Sequence, residues 1–365
     1  MQSKTTSAKP RRKTPKKNKK KKRGSSNRTL RIVLCIIISV IIIAGAYAIN
    51  LYNSACTVYD GEDSYTLIIP KDATKEQIAD SLSLLPDNYG NKVYRMWKLR
   101  DGQPHKAAGV YVITPGDKVW SVAGRIATGL SSSVKVTFNN VRLMSDLASR
   151  LSRYFLWTDK DFLEACQSVL SDKGYKAEEY PAVFLPDTYE FYASAMPSEV
   201  VEKLLFYHDR FWNEERTAKA AALGLTPLEV ATLASIVEEE SNNSAERPVI
   251  ARLYLNRLHK GMRLQADPTV KFGIGDFSIR RLSSQHLKHV SPYNTYLVSG
   301  LPPGPIRIPE AKTIDAVLNA PNHDYLYMCA KPDNSHTHNF TNSYEKHLRN
   351  AAAYRKWLDD RGITL

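Results

Sequence analysis

Between Ile32 and Ile49 the chain runs IVLCIIISVIIIAGAYAI, 18 residues without a charge. A run this long and apolar has few soluble solutions. As a helix it just covers the roughly 30 Å of bilayer hydrocarbon. What precedes it sharpens the reading. Residues 1–31 hold 14 Lys or Arg and no Asp or Glu. A stretch such as KKNKKKKRG repels itself and offers nothing to a core. We therefore read 1–31 as a disordered basic tail and 32–49 as a transmembrane helix. Lys and Arg favour the cytoplasmic flank, which keeps the tail inside and places the remaining ~315 residues outside. A cleaved signal peptide is the competing reading. The basic region is unusually long for one, and no small-x-small cleavage site stands out near Ile49. NSAC, ending at Cys56, departs from a lipid-attachment box at Asn53.

The tail also explains the net charge of +14. Removing its 14 basic residues from the total of 51 leaves 37, against 37 acidic residues. The rest of the chain is formally neutral, so the charge marks no nucleic-acid face. Cys35 lies in the span. Cys56, Cys166 and Cys329 lie beyond it, and an odd number leaves at least one unpaired within the chain.

The 365 residues suffice for about two domains. YTLIIPKDATKEQIADSLSLL and AAGVYVITPGDKVWSVAGRIATGL each read as strand, turn and amphipathic helix, with a further helix at NKVYRMWKL between them. We place a small α+β module at 62–132, after a linker YNSACTVYDGEDS. A larger, mainly helical region with short strands follows over 133–365. In it SVKVTFNN reads as a strand, FLPDTYEFY as an irregular aromatic stretch, and SEVVEKLLFYHDRFWNEERTAKAAALG as one long helix capped by Ser198. MRLQADPTVKFG reads as a polar loop and the Pro-rich SPYNTYLVSGLPPGPIRIP as an ordered one.

One helix carries an anomaly. TPLE opens it with Thr226 as N-cap, Pro227 in the first turn and Glu229 at the capping-box position. It closes on Glu238, Glu239 and Glu240. Carboxylates are unfavourable at a helix C-terminus. Mutual repulsion and apolar neighbours would raise a carboxyl pKa, as a general acid working near neutrality requires. Val230, Leu233, Ala234 and Val237 form the buried stripe. Glu239 then points away from it, and Glu238 and Glu240 sit on opposite edges. Spacing alone does not choose between those two. Residues two apart on a helix do not face each other, so the run cannot clamp a sugar by itself. A second carboxylate would come from elsewhere, with Asp267 and Asp187 as candidates. His323, Cys329, His336 and His338 lack metal-site spacing, so no metal is expected. No phosphate loop or nucleophile elbow is present, and no cofactor is expected. Gln265, Asp267, Tyr293, Asn294 and Tyr296 are polar or aromatic loop residues suited to sugar hydroxyls and N-acetyl groups.

Several ordered blocks together resemble the YceG-like (MltG) family of endolytic murein transglycosylases: FLPDTYEFY, LASIVEEES, ERPVIARLYLNRLHKGMRLQADPTVKFG, SPYNTYLVSGLPPGPI, and DYLYMCA followed by HNF and EKH. The resemblance covers roughly 65–360. It implies a single-pass inner-membrane protein with a cytoplasmic N-terminus, a LysM-like module at 62–132 and a periplasmic catalytic domain at 133–365. It implies cleavage of the MurNAc–GlcNAc β-1,4 bond of nascent glycan strands, leaving a 1,6-anhydroMurNAc end and limiting strand length. Peptidoglycan and the membrane are the implied partners, with cell-wall synthases as further candidates. Such enzymes place the catalytic Glu directly before Ser or Thr, which fits Glu240-Ser241 and leaves Glu238 as a neighbour helping to keep it protonated. The resemblance extends the substrate-binding candidates to Asp187, Tyr189 and His338. The alternatives are a muramidase using Asp267 and a non-catalytic glycan-binding scaffold.

Overall fold

The computed structural model describes residues 25–362 except 71 and 280. Most of the basic tail, 1–24, lies outside the described residues. Helix α1 (Ser25–Cys56) contains the apolar run and extends past it at both ends. It is the one described helix long and apolar enough to cross a membrane, and the apolar part is not buried against protein. The segment expected to begin a linker is thus helical to Cys56. No Gly or Pro interrupts residues 50–56. Leu51 and Ala55 pack against the first core, and Arg95 donates to Asn50 Oδ1 at 2.8 Å.

That first core closes over β1 (Tyr65–Ile69), α2 (Lys75–Ser83), α3 (Tyr89–Leu99), α4 (Pro104–Ala107), β2 (Gly109–Ile113) and α5 (Val119–Thr128). β1 and β2 are antiparallel, with Leu67 opposite Tyr111. Ile78, Leu82, Val93, Trp97, Val122 and Ile126 are fully buried beneath them. These are the apolar positions of the periodic pattern.

A second core gathers β3 (Ser133–Thr137), α6 (Met144–Leu151), α7 (Asp159–Asp172), β4 (Thr188–Tyr192) and α8 (Pro197–Phe211). β3 and β4 pair antiparallel, Val136 opposite Tyr189. The stretch read as irregular therefore contains a strand, whose Tyr189 and Phe191 alternate inward against Phe138 and Phe155. The long helix expected over 198–224 is two helices, α8 and α9 (Glu214–Ala222). The break falls at Trp212–Asn213, where Asn213 Oδ1 accepts from Arg216 N and starts a new helix.

The third core surrounds α10 (Pro227–Glu240), with α11 (Arg247–His259), α12 (Asp267–Ile274) and α13 (Ala311–Leu318). The capping box is formed: Thr226 Oγ1 accepts from Glu229 N, and Glu229 Oε2 accepts from Thr226 N. Every residue from Val230 to Glu238 is buried. A single buried stripe was too narrow a description, because α10 is packed on all sides. Residues 267–273, expected to be part of a polar loop, lie in α12, with Pro268 in its first turn. Gly304 presses onto the backbone carbonyl of Glu178, where a Cβ would lie 1.9 Å away. That contact holds the Pro-rich loop against the second core. The chain ends with the hairpin β5 (Tyr327–Ala330) and β6 (His338–Thr341), and α14 (Tyr344–Asp359). The four cysteines are free. Cys166 sits in the second core, where burial pushes its thiol up to about 12.

Candidate active site

The three glutamates at the end of α10 meet three environments. Glu238 is 3% exposed. Its Oε1 lies 3.1 Å from Arg307, and its Oε2 accepts from Thr313 Oγ1 at 2.7 Å and Glu310 N at 3.0 Å. Arg247 stands 4.0 Å away. Glu239 is held between Arg142 at 2.7 Å and Arg307 at 2.8 Å. It points away from the buried stripe, as helical spacing suggests, but not to solvent. A wheel reports direction about one axis, and here that direction leads into the seam between the second and third cores. Arg307 also donates to Asn140 Oδ1 at 2.7 Å, which completes the tie.

Glu240 alone turns into a cavity of about 320 Å³. Its Oε1 accepts from Tyr254 Oη at 2.6 Å. Burial pushes the carboxyl up to about 7. The Tyr254 hydrogen bond pulls it down, the Asp267 charge pushes it up, and the cations Arg257 and Lys271 pull it down. Burial and the adjacent Glu240 hold Tyr254 well above the ordinary tyrosine range, so it remains a donor. The carboxylate that raises Glu240 is therefore Asp267. The charge of Glu238 is offset by arginines on the other side of the helix.

Asp267 is the first residue of α12, where a negative charge is favourable. It accepts from Tyr296 Oη at 2.7 Å. Gln265, two residues before it, has a left-handed φ of +50°, uncommon for a side-chain-bearing residue. Bonds from Gln265 N to Thr295 O and Ala266 N to Thr295 Oγ1 hold it there. Gln265, Asp267 and Tyr296 line one wall of the cavity. The β5–β6 hairpin and α14 form another wall with Cys329, His338, His347 and Tyr354. Arg257 lies beneath, 7% exposed. It donates to the carbonyls of Leu326 and Leu264 at 2.6 and 2.7 Å and meets no carboxylate within 4 Å among the described residues.

The structure thus brings Glu240, Gln265, Asp267, Tyr296 and His338 around one cavity. The other expected site residues stand elsewhere. Asn294 is fully buried and acts one step back: Nδ2 donates to Leu287 O and His289 O, and Oδ1 accepts from Tyr296 N. Tyr293 packs on Phe272 with ring centroids 4.6 Å apart. Tyr189 is a core residue whose hydroxyl donates to Leu185 O. Asp187 accepts from the neighbouring Thr188 N and does not line the cavity. An aromatic, polar stretch looks the same in sequence whether it faces a ligand or a core. Tyr254 and Arg257 were missed. Their spacing of three on α11 puts both on one face, and that was the available signal. Among the described residues no group of three or more His, Cys, Asp or Glu is placed to hold a metal.

Residues 67–353 match the YceG-like family profile. The chain is 25% identical over 334 residues to the endolytic murein transglycosylase of Bacillus subtilis, covering 86% of this chain and 91% of that protein. It is 28% identical over 191 residues to the endolytic murein transglycosylase of Streptococcus pneumoniae strain D39, covering 51% of this chain and 34% of that longer protein. In fold it is similar to the crystal structure of a yceG-like protein of Listeria monocytogenes, with a TM-score of 0.51 at 23% identity, covering 79% of this chain and 99% of that one. The match spans the first core, the α10 helix and the cavity wall from the C-terminal hairpin, and by it the chain belongs to the YceG-like family.

Proposed function

We propose that this protein is an endolytic peptidoglycan lytic transglycosylase with Glu240 as its single acid and base. The observation that carries the reading is the Glu240 carboxyl, turned into a polar cavity and poised near neutrality by burial. A carboxyl in that state can donate at physiological pH and accept afterwards. The relatives named endolytic murein transglycosylase support the substrate class.

Protonated Glu240 donates to the oxygen of the MurNAc–GlcNAc β-1,4 bond. That bond breaks with its electron pair going to the departing oxygen, and positive charge develops at C1 and the ring oxygen of MurNAc. The Glu240 carboxylate then takes the proton of the same sugar's C6 hydroxyl. The freed oxygen bonds to C1 and closes the 1,6-anhydro ring, so no water is consumed. Well-placed intramolecular attack reaches effective molarities on the order of 10⁵–10⁸ M, which lets one carboxyl serve where a hydrolase uses two. Tyr254 orients the carboxyl. Strand cleavage of this kind, next to the membrane, would terminate growing glycans beside their synthases.

The positive flank of α1 supports a single-pass anchor in the inner membrane with the cavity on the periplasmic side. The two-stranded, helix-backed first core supports reading 62–132 as LysM-like, ahead of a catalytic domain over 133–365.

Mass spectrometry of glycan digested by the full chain tests the chemistry. Anhydro ends are expected, and their loss by 10³-fold or more in Glu240→Gln, the upper range of a general acid's contribution. Water-containing reducing ends would overturn transglycosylation in favour of a muramidase using Asp267, the other acidic residue on the cavity wall. Undiminished activity in Glu240→Gln would sink the assignment, and absence of cleavage by the unaltered chain would leave a glycan-binding scaffold.

A further inference from the structure

The turn after Glu240 presents a further carboxylate, largely shielded from solvent, that the mechanism above does not use. Glu246 is 12% exposed at its side chain. Its Oε1 accepts from the backbone N–H of His338 at 2.8 Å. Its Oε2 lies 3.0 Å from His338 Nδ1 and accepts from Ser241 Oγ at 3.3 Å. Ser241 is the residue that follows Glu240, and its Oγ also accepts from Asn243 N at 3.1 Å. Among the described residues no Lys or Arg lies within 4 Å of Glu246; Arg247 beside it pairs with Glu310 at 3.1 Å instead. The carboxylate therefore faces only the imidazole and two neutral donors.

A carboxylate accepts and cannot donate, so His338 Nδ1 must carry its hydrogen. In the neutral form of the ring the lone pair is then at Nε2, which meets no protein partner among the described residues, and the ring lines the Glu240 cavity. A carboxylate bonded to one imidazole nitrogen fixes which nitrogen carries the hydrogen of the neutral ring. The same carboxylate ties the hairpin wall to the end of α10, through Ser241 on one side and His338 on the other.

We propose that Glu246 is a positioning residue that fixes the Nδ1–H tautomer of His338, so that Nε2 accepts a hydrogen bond from a sugar hydroxyl facing Glu240. The inference rests on the cavity being the glycan site. It assigns the hairpin wall an acceptor function that complements the donor function of Glu240.

Two measurements on the full chain in detergent test it. In ¹⁵N-histidine spectra near neutral pH, His338 is expected to show a protonated Nδ1 and an unprotonated Nε2. Glu246→Gln is expected to populate the other tautomer, since an amide can also donate. This readout needs no turnover, so it survives failure of the glycosidic reading, which Glu240→Gln tests separately. In kinetics, Glu246→Gln should lower kcat about 10-fold or more, in the range found for second-sphere carboxylates. His338→Asn should lower it at least as much. The double variant should be no slower than His338→Asn alone. An unprotonated Nδ1 in the unaltered chain overturns the proposal. So does a Glu246→Gln penalty that persists at full size in the His338→Asn background, because Glu246 would then act through Ser241 or folding.

Discussion

The two sides of the end of α10 are made of the same residue type and do opposite things. On one side, Glu238 and Glu239 are locked by Arg307, Arg142, Thr313 and a backbone amide. On the other, Glu240 meets a tyrosine hydroxyl, a polar cavity and the charge of Asp267. The difference shows that what each carboxylate does is set by what the neighbouring elements bring to it. Cations convert two of them into a clasp between the second and third cores. Their absence from the immediate contacts of the third leaves it able to hold a proton.

Opening the clasp should have the largest effect. Arg307 is 8% exposed and serves both glutamates. Arg307→Met should destabilise the protein by about 3 kcal/mol, because it strands buried carboxylates. Thermal or urea unfolding at pH 7 reads this out, and a loss below about 1 kcal/mol would mean Arg142 and Arg247 suffice.

Next is the stability cost of the poised acid. Glu240 is raised from 4.5 to about 7, so folding disfavours its charged form. The penalty is absent below pH 4.5 and complete above about pH 7. Glu240→Gln should therefore unfold at higher temperature than the unaltered protein at pH 8, with a gain on the order of 2 kcal/mol after allowance for the open side of the cavity. The gain should vanish at pH 4.5.

A paired test sharpens the same point. The Tyr254 hydrogen bond lowers the Glu240 pKa and the Asp267 charge raises it. In the proposed mechanism the acid form is the active one, so activity should be lost as pH rises through that pKa. Tyr254→Phe should move the alkaline limb of kcat/KM to higher pH, and Asp267→Asn should move it to lower pH. Shifts in one common direction would refute the assigned electrostatics.

The smallest effect lies at the far end of the helix. Thr226→Ala removes the cap hydroxyl and should cost about 1 kcal/mol, leaving the pH profile unchanged.

Much of this was legible in the sequence because it depends on local rules. The apolar run, the Thr226–Glu229 capping box and the buried positions of the first core follow from length, spacing and side-chain chemistry. What failed to show is what depends on distant partners. Arg142 and Arg307 lie 97 and 68 residues from Glu239, so no local pattern could have revealed that this glutamate is clasped. Tyr189 is turned into the second core because β4 pairs with β3 from about fifty residues upstream, and Asp187, just before β4, is exposed and away from the cavity. Glu240 itself was separated from Glu238 only through resemblance to the family; the wheel had left both on equal terms.

The continuity of α1 into the first core has a mechanical consequence. A helix of 32 residues rises about 48 Å, well beyond the roughly 30 Å of a bilayer's hydrocarbon. Its last two turns are bolted to α3 and α5 instead of ending in a swivel. A protein so mounted would stand off from the bilayer like a reading head on a rigid arm. The height at which a glycan meets it would then be set by the length of one helix.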